Sequence, residues 1–205
     1  MDNNPIHISL KSPISTKSDS DRCYASHVIE TFLNKHTTPA ARKTLYQQLD
    51  CRRIKSADVP TSEAVLIGQW GVFAASRIPE GSCIGIHSGM LINRKDYDNH
   101  IHHDGDFRIA MTVNNDKSSF FLEGDGITSK INSLFLFDDN GVPRAQQPEG
   151  YNVEVATFSG KTVKNKKIDI FGLFSLTDIA EGQELRLNYH YTPEIFSYMA
   201  EKQAY

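Results

Sequence analysis

The sequence predicts an α+β fold, a body of short β-sheets preceded by a small helical hairpin. Three observations carry this reading. Apolar residues recur at helical spacing early in the chain, before residue 56. From residue 63 the texture changes to short apolar runs broken by glycine. The glycine-containing turns follow one another at short intervals, which suits antiparallel connections and not alternating parallel units. The 205 residues fit one domain with a small extension, and a 39% hydrophobic and 23% charged composition supplies a normal core.

Taken in order, residues 1–21 are rich in Ser, Asn, Asp and Lys and are expected to be frayed or disordered. Residues 22–60 form a helical extension. Ala25, Val28, Ile29, Phe32 and Leu33 share one helical face. Thr38-Pro39 reads as the N-cap and first-turn proline of a second helix, with Ala41, Leu45 and Leu49 turned inward. Residues 61–191 form the strand-rich domain. Ala64–Ile67 and Val72–Ala74 read as strands, and Ser82–Ile92 as a longer one interrupted at Gly85 and Gly89. Phe107–Val113 and Ser119–Glu123 flank a hairpin turn at Asn114-Asn115-Asp116. The segment around Asp138-Asp139-Asn140-Gly141-Val142-Pro143 reads as a loop by its turn chemistry. Val153–Phe158 and Ile168–Phe174 flank a basic turn, Ser159–Lys167. Residues 192–205 open with Thr192-Pro193, a capped helix start, and Ile195, Phe196 and Met199 form its buried face. The turns Ile78–Gly81 and Ile179–Gly182 echo one another weakly.

Several function classes are disfavoured. A net charge of -3 argues against a duplex-nucleic-acid binder, although Lys161, Lys164, Lys166 and Lys167 crowd one turn that could meet an acidic surface. Cys23, Cys51 and Cys83 are far apart, without metal-ligand spacing or an even count for a disulfide framework. A reducing, cytoplasmic location is the expectation, with export as an effector left open. No apolar stretch is long enough to span a bilayer, and Met1–Ser20 lacks the apolar centre of a secretory signal. His102, His103 and Asp104 are adjacent, so their side chains diverge, and this cluster reads as a solvated loop and not a metal site.

Two distant segments carry the chemistry. The first is Gly68-Gln69-Trp70-Gly71-Val72-Phe73-Ala74, followed by Ile78-Pro79-Glu80-Gly81. The second is Gly182-Gln183-Glu184-Leu185-Arg186-Leu187-Asn188-Tyr189-His190-Tyr191. Between them stand His87-Ser88-Gly89, Ile131-Asn132-Ser133 and Tyr151-Asn152-Val153-Glu154-Val155. Together these segments resemble the SET domain, the fold of most protein-lysine methyltransferases. The resemblance implies a fold of short sheets with a knot-like C-terminal core, and S-adenosylmethionine as cofactor. It implies that Gln69, Trp70, Gly71, Asn132 and Ser133 bind the cofactor. It makes Tyr189 the catalytic tyrosine, assisted by Tyr191, and sets His87 and Val155 along the substrate channel. Strand alternation would put Tyr189 and Tyr191 on one side.

The chemistry suits such residues. Methyl transfer from a sulfonium to an amine requires a neutral lysine, whose free pKa is about 10.4. An apolar channel and a neighbouring positive charge both disfavour the ammonium. Hydroxyl and carbonyl oxygens then aim the lone pair, and neither a metal nor a covalent intermediate is needed. The expected partner is a protein carrying the target lysine, histone-like or from a host, and no membrane.

The chain also departs from the family's pattern. Gln69 replaces the first glycine of Gly-x-Gly, His87 an aromatic, and Ser133-Leu134 the His-Ser of Asn-His-Ser. No cysteine follows Cys83, so no Cys-rich zinc segment is expected after the fold, and the C-terminal helix is expected to close the cofactor side. These departures support an alternative: a catalytically degenerate SET-like domain acting as a protein-binding module.

Overall fold

The structure, a computed structural model, describes residues 9–10, 28–33, 38–93, 108–113, 116–161 and 166–203. The expectations for Cys23, Ala25, the His100–Asp104 segment, the turn residues Asn114-Asn115 and the tip at 162–165 lie outside these residues. No helix among the described residues is long and apolar enough to cross a membrane.

The chain first contributes β1 (Ser9–Leu10), a two-residue strand paired with Ser159 and Phe158. The frayed reading of residues 1–21 fails at these two positions, because an open sheet edge recruits a backbone too short to carry a pattern of its own. Residues 28–33 are helical. Ile29 is buried in a cluster with Ala156, Phe158, Ile170 and Phe174. A Cβ at Gly172 would meet Ile29 Cδ1 at 2.6 Å, so the glycine makes room for this helix to pack.

The second helix, Pro39–Leu45, is capped as expected, with Thr38 Oγ1 accepting the Ala41 N–H at 3.2 Å. It ends four residues early, and Ala41 is exposed. Leu49 instead opens β2 (Leu49–Arg53), which pairs through all five residues with β3 (Trp70–Ala74). Here a tertiary strand partner overrides a helix-compatible spacing. Thr61–Leu66, read partly as a strand, is a 3-10 helix. The Glu63 N–H bonds back to the Pro60 carbonyl while its carboxylate is drawn into the interior.

The predicted long strand over residues 82–92 divides into β4 (Cys83–Ile86) and β5 (Gly89–Asn93). They are followed by β6 (Arg108–Val113) and β7 (Asp116–Gly124). The segment around Asp138–Pro143 is not a plain loop but part of a hairpin of β8 (Phe135–Phe137) and β9 (Pro143–Gln146). Its turn closes on Asp138, whose Oδ1 accepts the N–H groups of Asn140 at 3.0 Å and Val142 at 2.9 Å. The strands β10 (Val153–Lys161) and β11 (Lys167–Ser175) pair along their full length, and the chain ends in the helix Pro193–Gln203.

The large sheet runs β1-β10-β11-β6-β7-β5, with β4 also pairing β11. Its inner face and the β2–β3 ribbon enclose the main core, which includes Leu49, Val72, Ile84, Ile131, Val153, Leu173, Leu185 and Leu187. The echo between the two Ile-x-x-Gly turns is a physical pairing. Ile78 and Ile179, both fully buried, exchange both backbone hydrogen bonds at 2.9 Å. The Gly81 N–H donates to Ser175 and the Gly182 N–H to Ala74, each at 2.8 Å. Both glycines have positive φ, 71° and 78°, which lets each chain turn back onto the other strand.

Candidate active site

The site is built around the C-terminal segment Glu184–Leu187. It lies between residue 132 and residues 152–153, with parallel bridges from Asn132 to Arg186 and from Val153 to Leu187. The Leu187 N–H donates to the Asn132 carbonyl at 2.9 Å, and the Leu185 N–H to the Val72 carbonyl at 2.8 Å. The buried side chain of Asn152 clasps the same segment. Its Nδ2 donates to the Glu184 carbonyl at 2.9 Å and its Oδ1 accepts the Arg186 N–H at 2.7 Å. Four segments that are far apart in sequence therefore meet, each satisfying backbone groups of the next.

Asn132 holds two of them together. Its Nδ2 donates to the Trp70 carbonyl at 2.9 Å and to Glu184 Oε1 at 3.0 Å. Gly71 is buried where no side chain fits, since a Cβ there would lie 2.7 Å from Glu184 Oε1 and 3.0 Å from Ile54. Gln69 is exposed. Its N–H bonds to Leu66 and its carbonyl accepts the Ile54 N–H. Trp70 is 45% exposed, with the Arg53 guanidinium 4.3 Å from its ring centroid. Ser133 is buried. Its carbonyl accepts Arg186 Nη1 at 2.9 Å and its Oγ accepts Gln146 Nε2 at 2.6 Å.

Beneath these residues lies a buried charge cluster. Arg186 Nη2 stands 2.8 Å from Glu63 Oε2 and 2.7 Å from Glu184 Oε2, and all three side chains are at most 8% exposed. Burial pushes the Glu184 carboxyl above its ordinary range, while Arg186 and the Asn132 amide pull it back. Two carboxylates share one guanidinium, an arrangement held in place by Asn132 and Ser133 on its upper side.

Tyr189 donates its hydroxyl to the Ile131 carbonyl at 2.6 Å. Burial first, and Tyr191 second, push its phenol well above the ordinary tyrosine range, so it is neutral. Tyr191 is raised by burial as well. The two rings are 5.2 Å apart between centroids, but strand alternation is not the cause. His190, between them, adopts a left-handed conformation with φ of 53° while its N–H is held by Asn188 Oδ1 at 2.7 Å. That turn brings both rings onto Phe135, which stacks with Tyr191 at 6.0 Å and meets Tyr189 edge-on. Phe196 of the C-terminal helix closes the group against Phe135 and Tyr191.

Val155 is half-buried and packs against the same core as Tyr189, and also against Phe171. His87 is buried with its N–H bonded to Phe171 at 2.8 Å, and its ring lies against Gly124. Asn132, Ser133, the Trp70–Gly71 backbone, Tyr189 and Tyr191 are therefore brought together, while His87 is held on the large sheet. Glu63, Phe135, Gln146 and Arg186 escaped the sequence reading. Glu184 and Arg186, two residues apart on extended chain, share a side, and that was the one available signal. No group of His, Cys, Asp or Glu that could hold a metal occurs among the described residues.

The SET-domain family model matches residues 69–190. No curated protein matches the chain. Solved structures similar at low identity include the following. A humanized mutant of the Chaetomium thermophilum Polycomb Repressive Complex 2 bound to the inhibitor GSK126 is 18% identical over 69% of this chain, with a TM-score of 0.43. The chain spans 15% of that protein's length. A ctPRC2 structure in an autoinhibited conformation, bound to S-adenosylmethionine, is 17% identical over 76% of this chain and 17% of its own, with a TM-score of 0.45. A Plasmodium falciparum protein provisionally described as a histone methyltransferase is 14% identical over 71% of this chain and 95% of its own, with a TM-score of 0.41.

Proposed function

The chain belongs to the SET-domain family, and on that premise we propose that it methylates the side-chain amine of a lysine on a protein, with S-adenosylmethionine as the methyl donor. The observation that carries the reading is the convergence of Trp70, Asn132 and Tyr189. One asparagine amide joins the Trp70 strand to Glu184, and the tyrosine hydroxyl reaches the carbonyl of the residue before that asparagine.

The donor set fits the cofactor's amino-acid part and its flat base. Both Nδ2 hydrogens of Asn132 are committed to protein, which fixes the amide and leaves Oδ1 as an acceptor suited to an ammonium. Trp70, 45% exposed and with the Arg53 guanidinium over its ring, offers ring surface for stacking. When bound, S-adenosylmethionine supplies an electrophilic methyl group on a sulfonium. The protein's own residues do the rest. The aromatic wall of Phe135, Tyr189, Tyr191 and Phe196 offers little solvation to an ammonium, so it favours the neutral amine. Tyr189 keeps its proton and donates a hydrogen bond to the Ile131 carbonyl, which points the oxygen's lone pairs in one direction to orient the reacting amine. This is positioning, not general base catalysis.

The test is calorimetric titration with S-adenosylhomocysteine of the wild-type chain and of Asn132→Ala. Binding that is lost in the variant supports the proposal, and Tyr189→Phe then tests transfer. A folded wild-type chain that does not bind favours the degenerate binding-module reading, to which Ser133 and Leu134 in place of His-Ser give some support.

A further inference from the structure

The β8–β9 hairpin lies outside the cofactor and tyrosine motifs, yet it touches both. Gln146 lies at its end, half-buried. Its Nε2 donates to Ser133 Oγ at 2.6 Å and its Oε1 accepts the Tyr191 N–H at 2.6 Å. Its register partner on β8 is Phe135, the ring that stacks on Tyr191. The hairpin therefore grips Tyr191 twice, by backbone through Gln146 and by ring through Phe135. The Gln147 N–H, bonded to the Leu134 carbonyl at 3.0 Å, ties the base of the hairpin to the residue after Ser133.

We propose that Gln146 is a positioning residue that couples the cofactor segment at Ser133 to the tyrosine pair at Tyr191. This inference rests on the methyltransferase reading above. A planar amide cannot move one end without the other, so a ligand that settles Ser133 also settles the Tyr191 backbone. The left-handed residue His190 leaves that backbone without a strand neighbour of its own, which makes the glutamine its external anchor. Both contacts are short and neutral, and a residue one methylene shorter does not span them.

The experiment is a titration of the isotope-labelled chain with S-adenosylhomocysteine, followed by the amide resonances of Ser133 and Tyr191. In the wild type, both signals shift with the same half-saturation. In Gln146→Leu, affinity changes by about five-fold or less, the cost of a single neutral contact, while the Tyr191 response disappears. Gln146→Glu restores it, because the carboxylate still accepts from Tyr191 and the Ser133 hydroxyl can turn round to donate. If Gln146→Leu does not fold, Gln146→Asn carries the same expectation. A Tyr191 response that persists in these variants, or that is missing from a wild type that binds, overturns the coupling. A wild type that does not bind overturns the methyltransferase reading instead.

Discussion

The hydroxyl of Tyr189 donates to the backbone carbonyl of Ile131 at 2.6 Å, and Ile131 is the residue directly before Asn132. The tyrosine that the proposal sets on the substrate side and the asparagine that it sets on the cofactor side are thus joined through one short stretch of backbone. Tyr189→Phe removes this bond and leaves the Ile131 carbonyl unpaired, with a stability loss of about 1 kcal/mol. Methyl transfer falls sharply, while S-adenosylhomocysteine affinity stays close to wild type. Thermal melts, calorimetry and a transfer assay separate the three effects.

The same phenol does not titrate in the working range. Its pKa is raised by burial, so the neutral form is retained as the pH rises through the ordinary tyrosine range. The pH–rate profile is therefore expected to show no limb belonging to Tyr189. An ultraviolet titration in which Tyr189→Phe removes an ionising phenol near pH 10 would contradict this.

Arg186→Met leaves Glu63 and Glu184 buried without their cation, which costs about 3–5 kcal/mol. The double variant Glu63→Gln with Arg186→Met is expected to recover part of this loss, since it removes one of the two orphaned charges. Chemical denaturation of wild type, both single variants and the double variant measures the coupling, and equal instability of Arg186→Met and the double variant would argue against it.

Acid sensitivity has a local source outside the site. Arg52 holds Asp58 by two hydrogen bonds of 2.7 and 2.9 Å and lowers its pKa from 3.8 to about 2. A depressed carboxyl pKa adds stability above the unfolded value and loses it as pH falls through the folded one. Asp58→Asn is therefore less stable than wild type at neutral pH, and the gap closes between pH 3.8 and about 2. Melting temperatures across that range test the sign.

Two glycines separate space from backbone strain. Gly71→Ala drives a Cβ into Glu184 and Ile54, and so disturbs the partner of Asn132. Overpacking of this kind costs about 1–3 kcal/mol and is expected to weaken S-adenosylhomocysteine binding as well. Gly182→Ala meets no atom within 4 Å and pays only for its positive φ, about 1–2 kcal/mol, with binding unchanged. Calorimetry on the two variants distinguishes these outcomes.

Much of this was legible in the sequence because the motif residues also do structural work. Asn132, Gly71 and Tyr189 stand out because their segments resemble the family's motifs, and the structure puts each at a junction of segments. The strands of the β6–β7 and β10–β11 hairpins were read from local apolar runs and turn residues. What escaped depends on partners far along the chain. Leu49 fits a helix by spacing and becomes a strand only because β3 lies alongside it. Glu63 looks like a surface residue until Arg186 is seen beside it. Gln146 carries no local signal, since its meaning is set by Ser133 and Tyr191. Tyr189 and Tyr191 were paired correctly, but for the wrong reason, because a left-handed histidine could not be read from alternation.

The reciprocal stitching of the two Ile-x-x-Gly turns also governs when the protein can take shape. Arg77 and Asp178, which pair beside those turns, are 101 residues apart. The first strand-turn unit cannot find its partner until the segment 101 residues downstream has been synthesised. Contacts of such long sequence separation slow folding, because loop closure must come before any gain from pairing. The segment carrying Glu184–Leu187 emerges later still, and it is the one that joins Val72, Asn132 and Val153. The fold and the site thus close in the same late step, and a chain cut short before that step would have neither.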